Sequence, residues 1–347
     1  MKNLILLILF CSNGILFSQP YLAYKDTKEG VKYGYLSNDF KELIAFQFDY
    51  ATDFSENRAF AKLNEKWFCI NIKGERLFEI NGSPMGDFTK GLAVIFSMKG
   101  YYYIDTAGNK MFNKFYEFAT ELTNGLARVK FNSNGNTGYI NHKGDLVIDT
   151  IYRFCRYFNN GYAGFYKLRS GWGLIDTLGK IVLEPIYQNL GDFSEGLIAF
   201  TNDTIQVDTS KEYKIFLQNQ RWGYMDISGN IIIQPKFSNT GEFKDSLAVV
   251  SYNRKYGFIN HSGEFVIQPM FSEADNFSEG YAPVNFGTDI VRGLYNNFIN
   301  KKGEIVLKGD FWFPQDFKNG ICRYSDGRGR HGSDGIKYMD KTGKVLW

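Results

Sequence analysis

Short apolar runs alternate with Gly, Asn and Asp along almost the whole chain, and they come in threes. Leu126-Ala127-Arg128-Val129, Trp172-Gly173-Leu174-Ile175 and Lys180-Ile181-Val182-Leu183 typify the three. Runs this short, rich in β-branched and aromatic residues and bounded by turn formers, predict strands of an antiparallel meander rather than helices. The block aromatic-Ile-Asp/Asn-x-x-Gly closes the second run. It recurs at Phe68 to Gly74, Tyr103 to Gly108, Tyr139 to Gly144, Leu174 to Gly179, Tyr224 to Gly229, Phe258 to Gly263, Phe298 to Gly303 and Tyr338 to Gly343. A ninth, degenerate copy starts at Tyr33. The glycines stand 34, 36, 35, 50, 34, 40 and 40 residues apart, a period typical of supersecondary units that stack into solenoids or toroids.

Turn chemistry sharpens the reading. Asx at the first position of Asp-x-x-Gly can bond the backbone two residues on, and Gly at the fourth supplies the positive φ of a type I turn with a G1 bulge. Pro185, Pro235 and Pro269 are expected to end the third strand. A second block, Asp-Phe-Ser-Glu-Gly or a variant, recurs at Asp53, Asp87, Asp192, Asn276 and Asp316. It reads as the link between units, its Phe buried between neighbours and its Asp capping a turn.

Trp172-Gly173-Leu174-Ile175-Asp176 with Gly179-Lys180-Ile181-Val182, and Trp222-Gly223-Tyr224-Met225-Asp226 with Gly229-Asn230-Ile231-Ile232, resemble the bacterial WG-containing repeat. The resemblance spans nearly everything from Tyr33 to Trp347. Several copies depart from it, with Tyr for Trp at Tyr33 and Tyr256 and altered pairs at Trp67-Phe68, Tyr101-Tyr102 and Asn297. It implies a tandem β-repeat array of exported or surface proteins, and an architecture rather than a reaction. The expected fold is all-β: about eight full three-stranded units plus a C-terminal hairpin over residues 20–347, forming a propeller-like toroid or an open β-solenoid.

Composition adds a compartment and removes some partners. Lys2 followed by the apolar run Leu4 to Phe10 reads as a signal peptide over residues 1–19, too short to span a bilayer. The mature protein is therefore expected in the periplasm, at the cell surface or secreted, with no membrane-spanning segment. Lys plus Arg at 40 against Asp plus Glu at 37 leaves +3, scattered too evenly to hold a nucleic acid backbone.

No residue pattern outside the repeat specifies chemistry. His142 and His261 fall at the same turn position, so they read as solvated turn residues rather than as zinc ligands. After loss of Cys11, the cysteines Cys69, Cys155 and Cys322 have no close spacing and read as small core residues. Neither a cofactor nor a metal is expected, and the protein reads as a non-enzyme. The alternative, a surface polysaccharide hydrolase, needs a pair of carboxylates gathered at one end of the array.

The irregularities point elsewhere. Three units are lengthened in the same hairpin loop, over Thr201 to Arg221, Asn285 to Asn296 and Ser325 to Ile336. Equivalent loops of a repeat array emerge on one face, commonly the binding face. Tyr213, Asp289, Arg292, Tyr295, Arg328, Arg330 and His331 are thus the candidate ligand-binding residues, for a protein or glycan partner.

Overall fold

The computed structural model describes residues 19–133, 135–201, 220–287, 293–327 and 335–347. They form strands and turns only, arranged as a β-propeller of eight antiparallel sheets. No helix among them is long and apolar enough to cross a membrane.

The second blade shows the plan. A short axial strand, Tyr50–Ala51, is followed by Arg58–Leu63, Lys66–Asn71 and the outer strand Arg76–Ile80, each paired to the one before. Axial strands of neighbouring blades touch, as Asn189–Ser194 touches Asn239–Lys244, so this edge of each sheet lines the propeller axis. The first blade has three described strands, Tyr21–Thr27, Gly30–Leu36 and Glu42–Phe48. The last sheet has six, because a further hairpin, Ile321–Ser325 with Ile336–Asp340, joins its outer strand through the single pair Trp312↔Ser325.

The Asp-x-x-Gly turns form as expected. Asp226 Oδ1 accepts bonds from the backbone of Ser228 and Asn230, and the eight turn glycines all have φ between 79 and 86°. The link block behaves differently. Its tip is a two-residue hairpin turn with both residues left-handed, such as Glu279-Gly280, the geometry of type I′. Its Phe is buried at most copies, among them Phe88, Phe243, Phe277 and Phe317. Its Asp caps no turn: Asp53 meets Arg323, Asp192 meets Arg156 and Asp316 meets Lys244. The Ser and Glu do the stitching. Ser55 Oγ donates to Phe88 O at 2.6 Å and Ser278 Oγ to Phe317 O at 2.9 Å, one blade onward. The Glu279 carboxylate accepts from the Asn319 and Gly320 amides at 2.7 and 2.9 Å.

The prolines also depart from expectation. Pro185, Pro235 and Pro269 lie inside the outer strands Ile181–Tyr187, Ile231–Phe237 and Phe265–Phe271, at a register shift. An outer strand has a free edge, and a residue without N–H offers it nothing to extend. The glycine of each Trp-Gly pair faces that shift. A Cβ on Gly173, Gly223 or Gly257 would lie 2.6, 2.4 or 2.7 Å from a carbonyl oxygen of the outer strand. Absence of a side chain is what lets the bulge approach. Where Phe68 replaces this glycine, the outer strand pairs without it: Trp67↔Ile80 and Cys69↔Phe78.

The ring is closed, so the array is a toroid and not an open solenoid. Tyrosines one residue beyond the glycine position donate to carbonyls in or just past the next blade's axial strand: Tyr35 to Thr52 O, Tyr103 to Thr120 O, Tyr139 to Arg156 O, Tyr224 to Gly241 O, all at 2.7 to 2.8 Å. Tyr338, in the last hairpin, donates instead to Leu22 O at 2.8 Å in the first blade. Arg323 Nη1 lies 3.0 Å from both Asp53 oxygens, and Trp347 stacks on Phe46 with centroids 5.7 Å apart.

Candidate functional site

Antiparallel pairing makes the two ends of the propeller chemically different. Both the Asp-x-x-Gly turns and the link turns fall at one end, where Lys73, Lys143, Ser262 and Lys302 are exposed tips and the exposed apolar side chains are aliphatic, Leu178 at a tip and Leu43, Leu146, Ile181, Ile231 and Ile305 where the outer strands begin. At the other end lie the hairpin loops between each blade's second and third repeat strands, and the passages from each outer strand to the next blade. Exposed aromatic side chains concentrate there. Tyr50, Phe96, Phe115, Phe131, Phe154, Tyr252, Phe286 and Phe313 all stand at or beside this end, joined by Met98 and Leu168 at loop tips. The other exposed aromatic among the described residues, Tyr157, lies under the Arg128 guanidinium at 3.8 Å. Each of the rings at this end packs one side on a neighbouring ring, as Phe96 on Tyr101 and Phe286 on Phe271, and leaves the other to water, so what six blades present at this end is the open side of ring pairs.

The described strands that flank the three lengthened loops terminate at this same end. Of the candidate residues on those loops, Tyr213, Asp289, Arg292, Arg328, Arg330 and His331 lie outside the described residues. Tyr295 does not belong to a loop. It pairs with Phe311 in the strand Leu294–Asn300, is 8% exposed, and burial lifts its phenol above the ordinary range. The insertion is therefore shorter than Asn285 to Asn296: Asn285 is already strand, and its Nδ2 donates to Leu294 O at 3.0 Å across the loop's base.

A second concentration of polar groups lies at the axis. Asp53, Asp87, Glu121, Asp192, Glu242 and Asp316 hold one repeat position, just before the linking Phe or Leu. Three are answered by cations: Arg323 at 3.0 Å from Asp53, Arg156 at 3.6 Å from Asp192 and Lys244 at 3.2 Å from Asp316. Burial raises the Asp87 carboxyl above its usual value against a hydrogen bond from Thr52, with Asp53 and Glu121 adding to the rise. Burial likewise raises Glu242, with Asp192 adding to it. Among the described residues no group of three or more His, Cys, Asp or Glu is placed to hold a metal ion.

The remaining reactive side chains are accounted for locally. Cys69, Cys155 and Cys322 are free and buried, and burial pushes each thiol up to about 12. His142 is an exposed turn residue. His261 is more than a solvated turn residue: it stacks on Phe243 with centroids 4.3 Å apart, and its Nε2 lies 3.4 Å from Glu195.

Reading the sequence for insertions and polar side chains missed the exposed aromatics. A signal was there: Phe96, Phe131, Tyr252 and Phe286 all lie at the ends of the Leu-Ala strand, beside a solvated hairpin loop that can cover at most one side of an aromatic ring.

Known proteins place the repeat. The sequence matches the WG containing repeat at residues 33–67, 103–134, 138–167, 172–203, 222–256 and 256–287. No curated protein matches it. Among solved structures, a eukaryotic initiation factor is similar with a TM-score of 0.63 and 10% identity over 95% of each chain. BamB from Moraxella catarrhalis gives a TM-score of 0.44 and 10% identity over 84% of this chain and 98% of that one. The computationally designed Ika8 protein gives 0.44 and 12%, over 84% and 93%. At such identities the first of these speaks for the propeller fold alone. The matched segments make up more than half of the chain, each running from the Trp-Gly strand of one blade into the next; the chain belongs to the WG containing repeat family, here closed into a β-propeller.

Proposed function

We propose that this protein is an exported, non-enzymatic binding or scaffolding module that docks a partner protein on the hairpin-loop end of its propeller. The observation that carries the reading is the gathering of exposed aromatic side chains at that end, from six of the eight blades. An apolar face of this kind on a stable scaffold is a common mark of an interaction surface. A β-propeller is commonly such a module. The lengthened loops, with Arg292, Arg328, Arg330 and His331, would enlarge the same face. The hydrolase alternative draws on the carboxylates at the axis, yet these occupy repeat positions, and three of them have cationic partners.

The test uses the whole protein recovered from its native compartment. Phe131→Glu, Leu168→Glu and Phe286→Glu, singly and together, alter solvent-facing side chains and should leave the circular dichroism spectrum unchanged. Quantitative crosslinking at the cell envelope should lose the partner with the triple variant. Unchanged crosslinking, or turnover of a surface polysaccharide by the parent, overturns the reading. Mass spectrometry of the exported chain should show the N-terminal segment removed.

A further inference from the structure

The blade that departs most from the Trp-Gly pattern has a groove beside it. Its third repeat strand, Gly100–Asp105, carries Tyr102 where regular blades have glycine. The outer strand Lys110–Tyr116 cannot approach, and the register responds. Tyr101 pairs with Tyr116 but Tyr103 with Met111, one residue more than between Trp172↔Tyr187 and Leu174↔Leu183. Phe112 and Asn113 take up the excess with φ of 62 and 40°, conformations that are costly outside glycine. The Tyr102 ring reaches across to the second blade, where its hydroxyl donates to Asn81 O at 3.0 Å.

The result is a groove of about 500 Å³ between the second and third blades, within the size range of ligand sites. Phe78, Ile80, Tyr102 and Phe115 supply its apolar walls, with the fully exposed Met98 at its mouth. Its charged groups are Glu79, Lys99 and Lys110. Glu79 is matched by Lys66 at 3.1 Å. Among the described residues no carboxylate pairs with Lys99 or Lys110, and the Lys110 ammonium sits 3.5 Å from the Phe115 ring centroid. The groove is therefore apolar inside and cationic at its rim.

We propose that this groove binds a peptide segment of a protein partner in which a large apolar side chain neighbours a carboxylate. The apolar group fills the space between Phe78, Tyr102 and Phe115, and the carboxylate meets Lys99 and Lys110. The assignment deepens the docking function by naming one subsite and its ligand chemistry.

The probes are acetyl-Leu-Phe-Asp-amide, its Asn counterpart and acetyl-Leu-Phe with a free C-terminal carboxylate, titrated by calorimetry into the full chain. At least one acid should bind at least tenfold tighter than the Asn peptide, and more weakly as salt is raised. Tyr102→Gly, which restores the repeat residue, and Lys110→Glu should each weaken it tenfold or more. Lys99→Gln with Lys110→Gln tests the rim without touching the core, should Tyr102→Gly fail to fold. Equal affinity for the Asp and Asn peptides, no binding of any probe at millimolar concentration, or parent affinity in the Tyr102 and lysine variants each overturns the proposal. Phe131→Glu and Leu168→Glu lie on other blades, so loss of envelope crosslinking there with no peptide binding would discard the groove and keep the docking face.

Discussion

Replacing Gly257 with alanine places a methyl carbon 2.7 Å from the Ile267 carbonyl oxygen and 2.8 Å from the Pro269 nitrogen. Both are main-chain atoms, so no side chain can swing aside. Ordinary contact begins at 3.4 Å, and the outer strand Phe265–Phe271 must retreat by about 0.7 Å, pulling on the pairs Tyr256↔Phe271 and Phe258↔Ile267 that flank the bulge. Overpacking of this kind costs about 1–3 kcal/mol. Gly257 has no positive φ, so backbone strain adds nothing and the whole effect is steric. Gly164 is the control. A Cβ there meets the Arg156 Cδ at 3.3 Å and the Trp172 ring at 3.6 Å, both movable side chains, and alanine should be neutral or gain a few tenths of a kcal/mol from a stiffer unfolded chain. Urea unfolding followed by tryptophan fluorescence measures both, and with unchanged slopes the midpoints report stability. A midpoint for Gly257→Ala equal to that of Gly164→Ala would refute the claim that the Trp-Gly glycine is there to admit the outer-strand bulge.

Tyr139→Phe keeps the packing but strands the Arg156 carbonyl, so thermal unfolding should show a loss of about 1 kcal/mol. An unchanged midpoint would remove the hydroxyl ladder as a source of stability. Glu242 is raised by burial in the folded chain and ordinary in the unfolded one. Its ionised form therefore opposes folding at neutral pH, and the penalty fades as pH falls through the raised value toward 4.5. Glu242→Gln should raise the urea midpoint at pH 7 and lose that advantage near pH 4; an advantage independent of pH would contradict the assignment. With thiols at about 12 and buried, a chromogenic disulfide reagent at pH 8 should find no reactive cysteine until urea unfolds the chain, and reductant should leave the midpoint unchanged. The unfolded exported chain should then show three thiols, against four for the complete sequence.

Local rules carried the reading as far as they reach. Asp226 and Gly229 specify their turn within four residues, so the strands beside them and the meander were legible. Closure was not. Tyr338 and Leu22 are 316 residues apart, and nothing local at either end marks the other as its partner. The link block was misassigned for a related reason: a side chain that bonds another blade looks, in one dimension, like one that caps its own turn, as Asp53 did. Pro269 reads as a strand terminator unless the strand is known to lie at a free edge with a bulge. Tyr102 was visible as a departure from the repeat, yet only the widened outer strand beside it reveals a groove. Tyr295 reads as a loop residue from the repeat spacing alone, and the strand begins earlier, at Leu294, than that spacing predicts.

Among the described residues, the first blade and the last hairpin meet without a shared ladder of backbone hydrogen bonds. A hydroxyl bond from Tyr338, its ring contacts with Tyr21 and Phe40, and the stack of Trp347 on Phe46 hold them, while the Arg323 ion pair ties the hairpin to the second blade. Such a seam behaves as a clasp. Force applied at the two chain ends would load those side-chain contacts first, before any pair of strands, and the circle would open there into a chain of blades that peels from both ends. The same adjacency means that covalently joining the ends and cutting a loop such as Leu168 to Ser170 would put the chain ends within the fifth blade, where the ladder from Tyr162↔Asp176 to Lys167↔Gly171 spans the cut, and the clasp would no longer carry the load.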